Sequence, residues 1–369
     1  MTATVRPRRD DDLPACADAL RQVHTADAYP LNWPGDPQAW LTPHTAAWVA
    51  EQDALIVGHV AVLDDEVTRL FVVPEARRHG IAGALLAEAR AWAARHHRVL
   101  TLTVVAAGRS PAITFYESTG WRHTRTTVAG WSAPDGGPVE LRHYVDVPAV
   151  HEFADALRGL GRVTDLFVAG SLATGDYIPY VSDLDLVAIT DGPVDRGLIE
   201  EVHRRVGPGY QLGCVYVDAA LIDDVGVRHP TWTHGQLVER ILSGITRAEL
   251  AGHGYAVFGR PPGEVVPPVD VRAAARAELA GYWRWAARRP YLWWNPMMAD
   301  LGLTSMARAR HALAYGELLT KTAAIEHAAA PEWLKQQLRE RRRNRPVTSP
   351  RLRAGWIAWR DAERTTRLG

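Results

Sequence analysis

The stretch G-S-L-A-T-G-D-Y-I-P-Y-V-S-D-L-D-L-V-A-I-T, Gly170 to Thr190, places two aspartates one residue apart at the mouth of an apolar run. Leu184, Leu186, Val187, Ala188 and Ile189 predict a buried strand, where unpaired carboxylates are expensive. Alternate residues of a strand face the same side, about 6.5–7 Å apart. Asp183 and Asp185 therefore aim two negative charges at one spot. A sheet edge, a turn, or a cation between the carboxylates makes such a pair tolerable.

The totals around this stretch set bounds. A chain of 369 residues exceeds one ordinary domain, and at about 150 residues per domain it predicts two or three units. Hydrophobic residues make up 47%, enough for real cores. The 42 basic and 42 acidic residues cancel, so no global field draws the chain to nucleic acid or membrane. Cys16 and Cys214 are the only cysteines, which predicts no disulfide framework and a reducing, cytoplasmic setting. The opening M-T-A-T-V-R-P-R-R-D-D-D lacks a signal-peptide core, and no apolar run reaches membrane-spanning length. Lys321 and Lys335 are the only lysines; every other basic side chain outside histidine is Arg.

The pattern up to residue 146 alternates helix and strand: a helix over Leu13–Val23, strands over Ala54–Leu63 and Glu66–Val73 with a turn at Asp64-Asp65, a helix over Ile81–Ala94 and a strand over Val99–Val105. Ser110-Pro111 opens a further helix, with Ser as cap and Pro in the first turn. Val147–Val150 reads as a short linker. A second α/β section follows, with a helix from about His151 and strands at Leu166–Ala169, Leu184–Ile189 and Gly213–Val217; after Pro261–Asp270 the pattern is helical. The expected domains are 1–146, 150–266 and 267–369.

Leu70–Leu86, L-F-V-V-P-E-A-R-R-H-G-I-A-G-A-L-L, predicts a strand, a proline-marked turn and a helix start. Arg77, Gly80 and Ala82 are spaced R-x-x-G-x-A; small residues admit an anion to the unpaired N–H groups and positive dipole end of a helix N-terminus. Together with P-A-I-T-F-Y-E-S-T-G-W (Pro111–Trp121), this makes residues 1–146 resemble the GNAT superfamily of acetyl-CoA-dependent N-acetyltransferases, a mixed sheet flanked by helices. The resemblance implies acetyl-CoA on Val73, Arg77, Arg78, Gly80, Ile81 and Ala82. It implies Tyr116 as the acid that protonates the departing thiolate; taken without the family, Tyr116 is a core aromatic with its hydroxyl at the rim. Arg109 stands where many members carry Asn. An amine attacking a thioester needs a base or water for its proton, and Glu66 is the best-placed carboxylate in the sequence, or else a solvated hairpin residue.

Gly170-Ser171, a second glycine and S-D-L-D-L resemble the polymerase-beta-like nucleotidyltransferases. That resemblance implies a G-S turn, with Ser182, for the phosphates of ATP, and Mg²⁺ on Asp183 and Asp185, suited to hard oxygen ligands and in-line displacement of pyrophosphate. From Gly170 to about Arg339 the chain resembles the aminoglycoside adenylyltransferases that act on streptomycin and spectinomycin, with an α/β nucleotidyltransferase domain followed by a helical bundle. Ile241–Gly259 fits their connecting helix and short strand, and Leu303–Ala324 fits the pair of helices presenting Arg308 and Lys321, the latter to the triphosphate. One departure concerns the family's third carboxylate: on the strand Tyr210–Asp218 the simplest register puts Leu212 there, and Asp218 lies about 20 Å along.

Tyr282–Pro296 is strongly aromatic, either helix packing or a flat wall for a sugar or base, and Asp300 and Glu317 are candidate acids for a polycationic drug. Arg339–Arg345 (R-E-R-R-R-N-R) reads as a solvated helix end, since zero net charge argues against nucleic acid. The expected protein is a bifunctional, aminoglycoside-modifying transferase using acetyl-CoA, ATP and Mg²⁺ on a small-molecule acceptor, away from membranes, with its oligomeric state open and a dimer among the possibilities. The rivals are transfer to a protein or tRNA, and a ligand-sensing second half.

Overall fold

The turn expected at Asp64-Asp65 is present, with Asp64 at φ 55°, and it folds Leu55–Leu63 back on Glu66–Val72. The computed structural model describes residues 3–96, 98–106, 111–206 and 211–369; Arg109, Ser110 and Tyr210 lie outside them. The chain divides into two units, Met1–Val147 and Pro148–Gly369.

In the first unit the described residues form strands β1 (Thr4–Pro7), β2 (Ala46–Gln52), β3 (Leu55–Leu63), β4 (Glu66–Val72), β5 (Thr101–Val105), β6 (Arg122–Ser132) and β7 (Pro138–Val145). They make one sheet, ordered β1-β2-β3-β4-β5-β7-β6. Its neighbours are antiparallel except β4 and β5, which run parallel and pair only at Glu66–Thr101 and Val67–Leu102. Just past those pairs β4 carries an irregularity, with Arg69 at φ 54° and a register slip against β3. A bulge bends its strand and raises the local twist, so the sheet opens between β4 and β5. Helices Leu13–Asp27 and Ile81–Arg95 supply Leu20, Val23, Leu85, Leu86 and Ala89 to a core with Val60 and Val62.

The second unit has a sheet of β8 (Val163–Val168), β9 (Leu184–Thr190), β10 (Leu212–Asp218), β11 (Arg228–Thr233), β12 (Gln236–Ile241) and β13 (Tyr255–Phe258), ordered β12-β11-β10-β9-β8-β13. Strand β9 is parallel to β10 and antiparallel to β8. Phe167, Val187, Ile189, Val217 and Leu250 form a core at the sheet. Beyond Asp270 come helices Val271–Glu278, Pro296–Tyr315, Lys321–Glu326, Glu332–Arg342 and Arg351–Thr365, packed on a second core containing Trp293, Leu303, Met306 and Ala358.

Two departures from expectation have simple causes. Val147–Val150 is no linker: a helix begins at Pro148 and runs to Arg158, because proline suits the first helical position, where its missing N–H costs nothing. The hairpins β6–β7 and β11–β12 are additional to the expected strands; Arg, Thr, His and Glu on their open faces dilute the apolar alternation that marks a strand.

Candidate active sites

In the first unit, β4 is followed by Val73, a short 3₁₀ turn at Pro74–Ala76, and a loop to Gly80, which begins the Ile81–Arg95 helix. Val73 is buried, its N–H bonded to the Val57 carbonyl at 2.9 Å. Gly80 has φ +77° with open space where a Cβ would stand. Among the described residues nothing accepts from the N–H groups of Ile81, Ala82 or Gly83, while Ala84 bonds back to Gly80. These are the donors an anion takes at a helix N-terminus. Arg77 braces the loop: Nε donates to the Val72 carbonyl at 3.0 Å, and the terminal nitrogens hold Asp27. Arg78, at φ 63° and exposed, is the loop's outward cation.

Tyr116 lies on the Pro111–Ser118 helix, buried against Trp121 and Phe115. Its hydroxyl has no hydrogen-bond partner among the described residues, and burial raises its pKa, so it keeps its proton at neutral pH. Both the core reading and the proton-donor reading fit that placement. Glu66 is exposed at the start of β4, six residues and about 20 Å along the strand from the loop.

In the second unit, Gly170-Ser171 opens a single helical turn after β8. Gly170 has φ +60°, and a Cβ there would stand 2.1 Å from Asp185 Oδ2. The Ala169 N–H bonds the Asp185 carbonyl at 2.8 Å, so the turn and the mouth of β9 are laced together. The Ser171 hydroxyl is buried and has no partner among the described residues. Burial pushes the Asp185 carboxyl up to about 6; Lys321 pulls against that shift, while Asp183 and Glu249 add to it. Gly170 through Asp185 thus forms a cradle with an unmet hydroxyl and two adjacent carboxylates. It fits a triphosphate with Mg²⁺, a cation usually held by one or two carboxylates plus substrate phosphates and water. Among the described residues no group of three metal-ligating side chains gathers anywhere.

The cradle opens on a cleft of about 1050 Å³. Lys321 and Arg308 line it from the helical segment, with Thr320 capping the lysine's helix through the Ala323 N–H at 3.1 Å. Arg308 is already engaged: Nε donates to the Leu319 carbonyl at 2.8 Å, and its other end pairs with buried Glu249. Glu278, raised by burial and steadied by Arg308 and Ser243, stands on the same wall. Neither glutamate belongs to a sequence motif; only the packing of Val271–Glu278 against Gly244–His253 brings them together here.

The missing strand carboxylate needs a corrected register. Gly213, not Leu212, pairs with Asp185, and a Cβ on Gly213 would stand 4.0 Å from Asp185 Oδ1. Leu212 pairs with Leu184 and is buried. Asp218 pairs with Thr190 at the far end and caps a turn through the Ala220 N–H.

Other expectations resolve side chain by side chain. Asp300 is held by Arg341 at 2.6 and 2.8 Å, and neither it nor exposed Glu317 lines the cleft. Tyr282 and Trp283 do line it, Trp293 is core, and Trp285, Tyr291 and Trp294 are exposed. Ser182 is buried with its hydroxyl between the Ile178 N–H and Arg342. Arg339, Arg341 and Arg342 are all ion-paired within the unit, so this run is not merely a solvated helix end.

A family model for an acetyltransferase (GNAT) domain matches residues 43–123, and one for a nucleotidyltransferase domain matches residues 150–232. The first span contains Val73–Ala82 and Tyr116; the second contains Gly170–Asp185. No curated protein matches the chain. Among solved structures it is similar to the ribosomal-protein-S18-alanine N-acetyltransferase of Escherichia coli, at 21% identity over 39% of this chain and 93% of that one, TM-score 0.33. A ribosomal-protein-alanine N-acetyltransferase of Brucella melitensis gives 22% identity over 39% and 99%, TM-score 0.33. A spectinomycin adenyltransferase of Enterococcus faecialis, solved with ATP and spectinomycin, gives 12% identity over 58% and 98%, TM-score 0.46. The chain joins two transferase domains, one GNAT and one nucleotidyltransferase.

Proposed function

We propose that the chain inactivates aminoglycoside-like compounds, using acetyl-CoA in the first unit to acetylate an amine and ATP in the second to adenylylate a hydroxyl. The observation that carries the reading is the cradle of Gly170, Ser171 and Asp185 facing Lys321 across a cleft walled by Glu249 and Glu278. Acids on that wall suit a cationic acceptor, and a drug of this class offers both amines and hydroxyls. The sequence resemblance to streptomycin and spectinomycin adenylyltransferases over Gly170–Arg339 supports the same acceptor class.

In the first unit the loop Val73–Ala82 holds the pyrophosphate of acetyl-CoA on the free N–H groups of the helix start. The amine nitrogen attacks the thioester carbonyl, the C–S bond breaks, and Tyr116 gives its proton to the departing thiolate. Water or Glu66 takes the amine proton; Glu66 has the weaker support, given its place at the far end of β4. In the second unit Ser171 and Lys321 bind triphosphate oxygens, and the acceptor oxygen attacks the α-phosphorus as the bond to pyrophosphate breaks. Mg²⁺, held by Asp183 and Asp185, would neutralise the phosphates. With Gly213 in place of an acid, Glu249 is the carboxylate that supports removal of the hydroxyl proton, since it interacts electrostatically with Asp185 and its partner Arg308 orients it.

Gly213 also favours a second reading, in which this half binds nucleotide and acceptor without turnover. Mass spectrometry of aminoglycosides and aminocyclitols incubated with the protein, acetyl-CoA, ATP and Mg²⁺ separates the two. An acetyl increment weakened by Tyr116→Phe and an adenylyl increment abolished by Asp183→Asn/Asp185→Asn are expected. No increment on any compound overturns drug modification; nucleotide binding without pyrophosphate release points to the sensing role.

A further inference from the structure

Arg342 closes the Glu332–Arg342 helix, in the arginine-rich run that the sequence alone assigns to solvent. Its side chain is instead 11% exposed, against Asp176 at 10%. Nη2 donates to the Asp176 carbonyl at 2.5 Å and to its Oδ2 at 2.9 Å. Nη1 donates to Ser182 Oγ at 3.1 Å, and Nε to Thr322 Oγ1 at 3.1 Å. The Thr322 N–H completes the knot by donating to Asp176 Oδ2 at 3.0 Å. Ser182 immediately precedes Asp183, and Thr322 immediately follows Lys321.

Building on the nucleotidyl-transfer reading above, we propose that Arg342 is a positioning residue for that reaction. Its single guanidinium sets the aspartate-bearing loop against the lysine that meets the triphosphate. The loop from Asp176 to Ser182 runs between β8 and β9 and is tied to the cradle and within itself: the Asp176 N–H bonds the Ser171 carbonyl at 2.8 Å, and the Ser182 N–H bonds the Ile178 carbonyl at 2.9 Å. The Ile178 N–H also donates to Ser182 Oγ at 3.0 Å, and none of these bonds refers the loop to Lys321. The Thr322 N–H on Asp176 ties one end of the loop to that helix, and Arg342 supplies the rest of the reference: one planar fork grips both ends of the loop and the first turn of the lysine's helix. A guanidinium does this and an ammonium does not, since only the former offers several donors in a fixed plane. The neighbouring Arg341 makes an equally direct ion pair, with Asp300, without touching the loop. It is the built-in control for stability alone.

The test is calorimetric binding of a non-hydrolysable, α,β-methylene analogue of ATP, with Mg²⁺ and with EDTA, beside thermal melts, for wild type and the variants Arg342→Lys, Arg342→Gln/Asp176→Asn and Arg341→Gln. The double variant removes both charges, so no uncompensated carboxylate is left buried. Loss of charge-assisted bonds should cut the Mg²⁺-dependent gain in affinity at least about tenfold in Arg342→Lys and in the double variant. Affinity in EDTA should stay within about twofold, since Lys321 and Ser171 are untouched. Arg341→Gln should lower the melting temperature and leave that gain as in wild type. A folded Arg342→Lys and double variant with wild-type Mg²⁺-dependent affinity overturn the positioning role and leave the nucleotidyl-transfer reading standing. A gain lost in parallel with melting temperature, in Arg341→Gln as well, also overturns it. Wild-type protein that binds no analogue overturns the nucleotidyl-transfer reading and the positioning role together.

Discussion

At Gly170 the backbone takes φ +60°, and an added Cβ would meet the Asp185 carboxylate at 2.1 Å. Alanine there faces two penalties: the left-handed conformation, about 1–2 kcal/mol for a residue with a side chain, and displacement of a group that cannot retreat into the buried strand. Gly170→Ala should therefore abolish nucleotide binding while costing only a few degrees of melting temperature, checked by calorimetry and a thermal scan of one sample. His59 carries a different kind of residue-scale test. It is fully buried, with Nδ1–H donating to the Arg69 carbonyl at 2.9 Å and Nε2 accepting from Arg8 at 3.0 Å. Burial holds its pKa down at about 3. The unfolded chain takes up this proton near pH 6.5 and the folded one refuses it, so the stabilising effect is complete above pH 6.5 and is lost as pH falls toward 3. Between pH 7.5 and pH 5, denaturant unfolding of the wild type should lose about 2 kcal/mol more than that of His59→Gln. Equal losses in the two proteins would show that His59 titrates normally.

Elements were legible in the sequence where local chemistry and tertiary packing agree. The pair of helices carrying Arg308 and Lys321 ends and restarts where the residues say: Gly316 at φ +76° stops one and Thr320 caps the next. The loop at Gly80 and the mouth of β9 follow the same logic. The register of β10 did not, because nothing within the strand itself says which of its residues lies beside Asp185, and only pairing with β9 puts Gly213 there. Glu249 and Arg342 were beyond reach for a related reason: each acts on residues far away in sequence, so no local pattern marks it. The aromatic segment shows the same division. Trp293 is fully buried, its Nε1–H bonded to the Ala286 carbonyl at 3.1 Å, and helix Pro296–Tyr315 reaches it through a glycine. A Cβ on Gly302 would stand 2.2 Å from the Trp293 ring. Overpacking of this kind costs about 1–3 kcal/mol, so Gly302→Ala should lower the second unit's unfolding free energy by that amount, measured in urea. An unchanged midpoint would mean that the helix shifts freely over the indole.

At the scale of the whole molecule, the balanced charge conceals a local arrangement in which arginines are matched to carboxylates within each unit. Asp146, at the end of the first unit, is buried and held by Arg90 Nε at 2.6 Å, while Arg90 also lies over Trp121. Val147 is buried and Pro148 starts a helix belonging to the second unit. The boundary is therefore sharp, and its position decides whether a fragment keeps its last ion pair. Removing one partner of a buried pair costs about 3–5 kcal/mol, because the remaining charge stays desolvated; Arg90 is partly exposed, so the lower end applies or less. Fragment 1–147 should fold cooperatively and bind acetyl-CoA, and fragment 148–369 should do the same with ATP and Mg²⁺, each followed by calorimetry. A fragment ending at residue 145 should unfold at a clearly lower urea concentration than 1–147, and Arg90→Met should narrow that difference. If fragments 1–145 and 1–147 unfold alike, the Asp146–Arg90 pair contributes nothing to the first unit; if either longer fragment fails to fold, the two heads depend on one another for stability and the division into self-sufficient units is wrong.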